Sequence, residues 1–363
     1  MSVTVQIDGQ PAQALPAFLA ALAVLGPVPD ESQRCWQIWT RRPHTEGCAD
    51  SVWLDATVGA AREKWLEAGG AIITSQPVGA DVEDKLYQCG MEIRVRSSVQ
   101  LRLLPAILAA FLMHDFPLVD ALMLARAFRG SGWPYDLAQY PVPIDGPSSD
   151  EPFAPFPRHA GLYSVVPTSE WVRRLAETNA PVVQLRDKHA DAEKRSREIV
   201  QAVEAARDSR TLLFINDDWR LAIEQNAYGV HLGQEDIDHA DLNAIRRAGL
   251  RLGISTHGIY EMLRAHRCQP SYMALGAIYA TATKAMPTAP QGLRRLAHYV
   301  RLMSPHYPLV AIGGIDLSCI DAIWGTGIDC AAVLRAIVDA GDYRQAIREL
   351  LAKTPQHCAA GAL

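Results

Sequence analysis

The chain has 363 residues, 49% of them apolar and 21% charged; these proportions exclude disordered, collagen-like and disulfide-scaffold proteins and predict a soluble globular chain of two domains. A formal net charge of −5 argues against a dedicated nucleic-acid binder, which carries a basic excess. Seven cysteines, scattered and never in a C-x-x-C pair, form neither a disulfide framework nor a zinc site and predict a reducing, cytoplasmic setting.

The first elements are of mixed type. Helical patterns cover 11–25, 103–113 and 118–128, and β-rich pieces cover 71–74 and 92–95, which together predict a small α/β domain over residues 1–140. The apolar start is preceded by Asp8 and by no Lys or Arg, so it is not read as a signal peptide. The longest apolar run, 103–113, contains Pro105 and is too short to span a membrane. Prolines at 141, 143, 147, 152, 155 and 157 then predict an extended linker over 141–158.

After this seam the pattern turns regular. Short β-rich runs at 162–166, 182–186, 212–215, 229–232, 250–254, 272–275, 309–312 and 330–334 alternate with amphipathic pieces such as 171–177 and 192–206. Strands alternating with helices imply βαβ units and a parallel sheet. Eight units predict a (β/α)8 TIM barrel over 159–355, followed by a tail at 356–363. A doubly wound sheet is disfavoured because no strand is followed by a G-x-G-x-x-G fingerprint.

In such a barrel the active site lies at the C-terminal ends of the strands, and polar groups follow nearly every run. Arg186, Lys188 and Lys284 come from two strand ends and suit a multiply charged anion. Asp217 and Asp236, after neighbouring strands, could share one Mg²⁺, which takes few carboxylates and keeps phosphate oxygens or water in its other positions. A second phosphate site is expected at Gly313-Gly314 and the start of the helix after the last strand. Blander readings stand beside these. Arg186 and Lys188 could be solvated loop charges, one of Asp217 and Asp218 a helix N-cap, and Gly313-Gly314 a tight turn. His231 reads as a hydrogen-bonded core residue, His257 receives no proton-transfer role, and Cys330 reads as core. Ser255 has no evident His–Asp partners and is not read as a nucleophile.

The segments 183–188 (VQLRDK), 214–217 (FIND), 228–236 (YGVHLGQED), 253–257 (GISTH), 281–284 (TATK), 291–292 (QG) and 311–315 (AIGGI) make the chain, from about 161 to 351, resemble the bacterial thiamine phosphate synthase family. The resemblance implies a TIM-barrel transferase of thiamine biosynthesis that joins an aminopyrimidine methyl diphosphate to a thiazole ethyl phosphate, releasing pyrophosphate. It implies that Gln184, Arg186, Lys188, Asn216, Ser255 and Lys284 bind the pyrimidine diphosphate, with Arg186, Lys188, Ser255 and Lys284 in catalytic roles. Asp217 and Asp236 would hold Mg²⁺, and Thr281, Thr283, Gly313, Gly314, Leu334 and Arg335 the thiazole phosphate. Two positions depart from the family's pattern: Arg335 stands where Ser is usual, and Ala280 where Pro is. The partners implied are phosphorylated small molecules, neither nucleic acid nor membrane, and a homo-oligomer is left open. Two alternatives remain at this point: a thiazole tautomerase-like isomerase and a non-catalytic thiamine-precursor binding protein. Residues 84–87 and 106–128 also faintly resemble part of the hydroxymethylpyrimidine phosphate kinases. Ser97-Ser98-Val99-Gln100-Leu101 stands where those kinases have a glycine-rich phosphate loop, which implies a degenerate, non-catalytic remnant.

Overall fold

The computed structural model describes residues 4–8, 10–11, 16–25, 35–40, 50–54, 60–98, 105–188, 191–281 and 289–355. Two compact units divide the chain, Met1–Gly146 and Pro147–Leu363.

The first unit is built on one eight-stranded sheet. Its strands are β1 (Thr4–Ile7), β2 (Gln10–Pro11), β3 (Cys35–Trp39), β4 (Ser51–Leu54), β5 (Ala71–Val78), β6 (Asp81–Gln88), β7 (Met91–Ser97) and β8 (Val142–Pro143), in the order β2-β1-β3-β4-β5-β6-β7-β8. β1, β3, β4 and β5 run parallel, and β5 to β8 form an antiparallel meander. Helices α1 (Pro16–Leu25), α2 (Ala60–Glu67), α3 (Pro105–Met113) and α4 (Leu118–Ala127) complete it. α3 is apolar on every side and correspondingly buried from Ala106 to Met113. In α4 the buried Arg126 reaches the β5–β6 hairpin, where its Nε donates to Asp84 Oδ2 at 2.6 Å and its Nη2 to Ser75 Oγ at 3.0 Å. Ser97 ends β7; residues 99–104, on which most of the expected degenerate phosphate loop falls, lie outside the described residues.

The second unit is a closed parallel barrel. Its strands are β9 (Gly161–Val166), β10 (Val182–Leu185), β11 (Leu212–Asn216), β12 (Gly229–Leu232), β13 (Arg251–Thr256), β14 (Tyr272–Leu275), β15 (Leu309–Ile312) and β16 (Cys330–Val333), with β16 pairing back onto β9. The outer helices are α5 (Ser169–Glu177), α6 (Ala192–Arg207), α7 (Trp219–Glu224), α8 (Leu242–Arg247), α9 (Ile259–Arg267), α10 (Gly292–Met303), α11 (Ile320–Trp324), α12 (Arg335–Val338) and α13 (Tyr343–Ala352). All eight expected runs are strands, since strands covered on both faces read as short apolar runs. Alternation sends Tyr163, Phe214, Tyr272 and Cys330 inward, where they join one buried cluster. Tyr272 fits because β13 carries Gly253 beside it: a Cβ there would meet the phenol carbon Cζ at 2.1 Å. Among the described residues no helix is long and apolar enough to cross a membrane.

The proline-rich segment departs from the expected linker. Val142–Pro143 is strand β8, and the residues after 146 belong to the barrel unit. Ser149 and Phe153 donate backbone hydrogen bonds to the carbonyls of Arg267 and Gln269. Phe156 is buried with its ring centroid 4.9 Å from Tyr272 and 5.7 Å from Phe214. Proline keeps this stretch extended, but its phenylalanines supply the apolar area that docks it. Phe156→Ala is expected to destabilise the barrel by about 3–5 kcal/mol in urea denaturation; a change below about 1 kcal/mol would show that the segment is only a tether.

Candidate functional site

A cavity of about 730 Å³ opens at the C-terminal ends of the barrel strands. Gln184, Arg186, Lys188, Asn216, Asp217, Asp236, Ser255, Thr281, Gly313, Gly314, Leu334 and Arg335 all line it. Thr283 and Lys284 lie outside the described residues. Fourteen residues were expected here, and every one of them that is described reaches this single space.

Local geometry explains the convergence. Gln184, Asn216, His231 and Ser255 occupy inward positions near the ends of β10 to β13, so alternation turns all four toward the axis. Arg186 follows β10, its amide donating to the carbonyl of Val166 on β9 at 2.8 Å. Asp217 follows β11 in the left-handed region, at φ 63°, a conformation Asp tolerates better than most side chains. Its amide donates to the His231 carbonyl at 3.0 Å, which fixes the turn against β12. Asp218 takes the N-cap position of α7 without a side-chain cap bond, and its carboxylate stands 3.6 Å from Arg195. The capping alternative therefore falls to Asp218 by position and leaves Asp217 facing the cavity.

The acidic wall is electrostatically tense. Lys188 Nζ donates to Asp217 Oδ2 at 2.6 Å, with both side chains partly exposed. Asp236 Oδ2 accepts from the Gly233 amide at 3.0 Å. Burial, and then the negative charge of the adjacent Asp217, push the Asp236 carboxyl above the usual carboxylate range. Two carboxylates pressed together at a partly buried rim are a donor set that a small hard cation would relieve. Among the described residues no group of three or more His, Cys, Asp or Glu side chains is placed to hold a metal.

Across the barrel the wall is glycine. Gly313 and Gly314 have φ of 103° and 67°, and a Cβ on Gly313 would lie 2.5 Å from Ala277 Cβ. Only glycine leaves this backbone bare beside the cavity. Leu334 and Arg335 open α12, and the exposed Arg335 lines the same end.

Two histidines also line the cavity. His231 is buried, as a core residue would be, yet it also lines the cavity, with Nε2 2.8 Å from Ser255 Oγ. Ser255 therefore has a histidine partner that the sequence did not show. Its far ring nitrogen meets Tyr272 rather than an aspartate, so the arrangement is not a nucleophile triad. The signal was latent in the alternation, because both residues point inward on adjacent strands; the pairing of His231 with Gly253 sets the offset that joins them. His257 lines the cavity with Nδ1 2.6 Å from Glu261 Oε2. Glu235 and Asp316, which had been given no role, line it too.

A family model described as thiamine monophosphate synthase matches residues 162–337. The thiamine-phosphate synthase of Neisseria meningitidis serogroup A is 50% identical over 196 residues, covering 54% of this chain and 95% of that one. The thiamine-phosphate synthase of Pectobacterium atrosepticum is 48% identical over 200 residues, covering 55% of this chain and 94% of that one. Among solved structures, the thiamine phosphate pyrophosphorylase from Pyrococcus furiosus is 28% identical and covers 57% of this chain and 98% of its own, with a TM-score of 0.48.

Gly313→Ala is expected to destabilise the chain by about 2 kcal/mol, because it forces a methyl into the left-handed region and against Ala277. An unchanged denaturation midpoint would contradict the tight glycine wall.

Proposed function

Because the chain belongs to the thiamine-phosphate synthase family, and so is a transferase that makes thiamine phosphate, we propose that the rim cavity holds both of its phosphorylated substrates at once, their anionic ends on opposite walls. The support is the order of strands around the barrel: Arg186 and Lys188 follow β10, Asp217 and Asp236 follow β11 and β12, and these last two strands stand across from β15 and β16, which carry the glycine wall.

On the first wall Arg186 and Lys188, together with Lys284, bind the diphosphate of the aminopyrimidine, while Gln184, Asn216 and Ser255 hold its ring. The paired carboxylates of Asp217 and Asp236 fit Mg²⁺, which the two of them would hold with diphosphate oxygens completing the shell. When bound, the ion supplies charge neutralisation at the leaving group. On the opposite wall the backbone of Gly313 and Gly314, with Leu334, Arg335, Thr281 and Thr283, binds the thiazole phosphate. Arg335 supplies a guanidinium where relatives of the family usually have a hydroxyl, a charge that can grip phosphate oxygens.

The chemistry then asks for no protein nucleophile. The bond between the pyrimidine methylene carbon and the diphosphate oxygen breaks, and its electron pair leaves with pyrophosphate. Negative charge grows on that oxygen, which the cations assigned to this anion, Arg186, Lys188 and Lys284, would stabilise. The thiazole nitrogen donates its lone pair to the electron-poor methylene carbon, forming the new carbon–nitrogen bond. Holding the two tails apart brings the two reacting atoms together in the middle of the cavity. We further propose that the enzyme works in the cytoplasm, in keeping with the free thiols of Cys89, Cys268, Cys319 and Cys330.

The direct test is to mix the purified chain with both phosphorylated precursors and Mg²⁺ and to assay thiamine phosphate; no product with the fold intact would sink the reading. Asp217→Asn and Asp236→Asn are each expected to lower turnover by about a hundredfold or more, and near-normal rates would refute the metal assignment. Arg335→Ala is expected to raise KM for the thiazole phosphate about tenfold with kcat little changed. A fall in that KM would show that Arg335 crowds the phosphate rather than gripping it.

A further inference from the structure

Beneath the pyrimidine wall runs a chain of polar side chains of which only the two ends, Gln184 and Ser255, have a use in the reaction. Gln184 Nε2 donates to the Tyr163 hydroxyl at 3.0 Å, and that hydroxyl is 2.7 Å from the Tyr272 hydroxyl. Tyr272 Oη lies 2.7 Å from His231 Nδ1, and His231 Nε2 lies 2.8 Å from Ser255 Oγ. Gln184, Tyr163, Tyr272 and His231 are all buried. Gln184, His231 and Ser255 reach the cavity, whereas Tyr163 and Tyr272 stand behind it. The chain thus begins and ends on the cavity and passes through the barrel interior in between.

The donor count orders it. A phenol has one proton, and burial pushes both tyrosines well above the ordinary phenol range, so both keep theirs. Tyr163 accepts from Gln184, and the order that uses every proton once sends its own proton to Tyr272. In that order Tyr272 accepts from Tyr163 and gives its own proton to His231 Nδ1. A neutral imidazole with Nδ1 accepting carries its proton on Nε2, and that N–H faces Ser255 Oγ. One lone pair of Ser255 is thereby engaged, and the Ser255 proton is left to point at the ligand.

We propose that Tyr163, Tyr272 and His231 are positioning residues that order the protons along this chain, so that Ser255 meets the pyrimidine ring as a hydrogen-bond donor while Gln184 meets it with its carbonyl oxygen and its second N–H. The inference deepens the transferase reading and rests on it for the identity of the ring. It names what the pocket selects: a ring that offers nitrogen lone pairs beside an exocyclic amino group. The corresponding hydroxypyrimidine, in its oxo form, places a ring N–H where a lone pair is needed and sets donor against donor. A buried polar mismatch of this kind discriminates more sharply than shape does.

The test uses the full-length chain with its histidines labelled with ¹⁵N, the His231 signals being assigned by their loss in His231→Gln. The expected spectrum shows the neutral His231 ring protonated on Nε2 in the unsubstituted chain, with that preference lost in Tyr272→Phe. In steady-state assays, Tyr272→Phe and Tyr163→Phe are each expected to raise KM for the aminopyrimidine diphosphate about tenfold. KM for the thiazole phosphate should stay put, and discrimination against the hydroxypyrimidine diphosphate should fall. His231→Gln, whose amide can still donate to Ser255, should retain more activity than His231→Ala. A ring protonated on Nδ1 in the unsubstituted chain overturns the proposal, even if a tyrosine variant fails to fold. Unchanged KM and discrimination in both Tyr→Phe variants overturn it as well, with the transferase reading intact. Absence of turnover in the unsubstituted chain would instead strike the transferase reading, and the tautomer would still decide the proton order.

Discussion

Strand alternation inside a closed parallel barrel is the constraint on which the rest of this molecule depends. Every second side chain must point at the axis, and all eight strands end on the same rim. The inward residues of the lower layers, Tyr163, Phe214 and Tyr272 among them, must therefore fill the barrel, and those of the uppermost layer must be the floor of whatever binds there. Gln184, Asn216, His231 and Ser255 are polar because they sit one step above that apolar filling.

The same constraint couples packing to recognition. The aromatic rings that close the barrel carry hydroxyls, and buried hydroxyls need partners. Tyr163 and Tyr272 satisfy each other and then reach upward to Gln184 and His231. Packing from below is equally tight: Phe156, from the proline-rich segment, lies against Tyr272 and Phe214 and is part of the same buried cluster. The cavity end of the barrel and its plugged end are thus separated by little more than one layer of rings.

How much of this could be read in advance follows physical lines. The eight barrel strands were legible because parallel strands covered on both faces are short apolar runs, and the rim was legible because polar residues follow each run. Residues 81–88 were not seen as a strand: the sequence DVEDKLYQ is mostly polar, although it pairs along its whole length with β5 and β7. Burial of Asp84 against Arg126 escaped notice because charged residues are read as surface unless their partner is in view. The His231–Ser255 contact was hidden for another reason, since interstrand register, not composition, decides which inward residues meet. Proline density in 141–157 reads as an extended linker, whereas Phe153 and Phe156 dock what proline straightens.

The central claim, that one cavity holds two anionic tails on opposite walls, can be met head-on by a crystal structure of the full-length chain with thiamine phosphate, pyrophosphate and Mg²⁺. Pyrophosphate is expected against Arg186, Lys188, Asp217 and Asp236, with the phosphate of thiamine phosphate against Gly313 and Gly314. Electron density with the two groups exchanged, or with both anions on one wall, would contradict it.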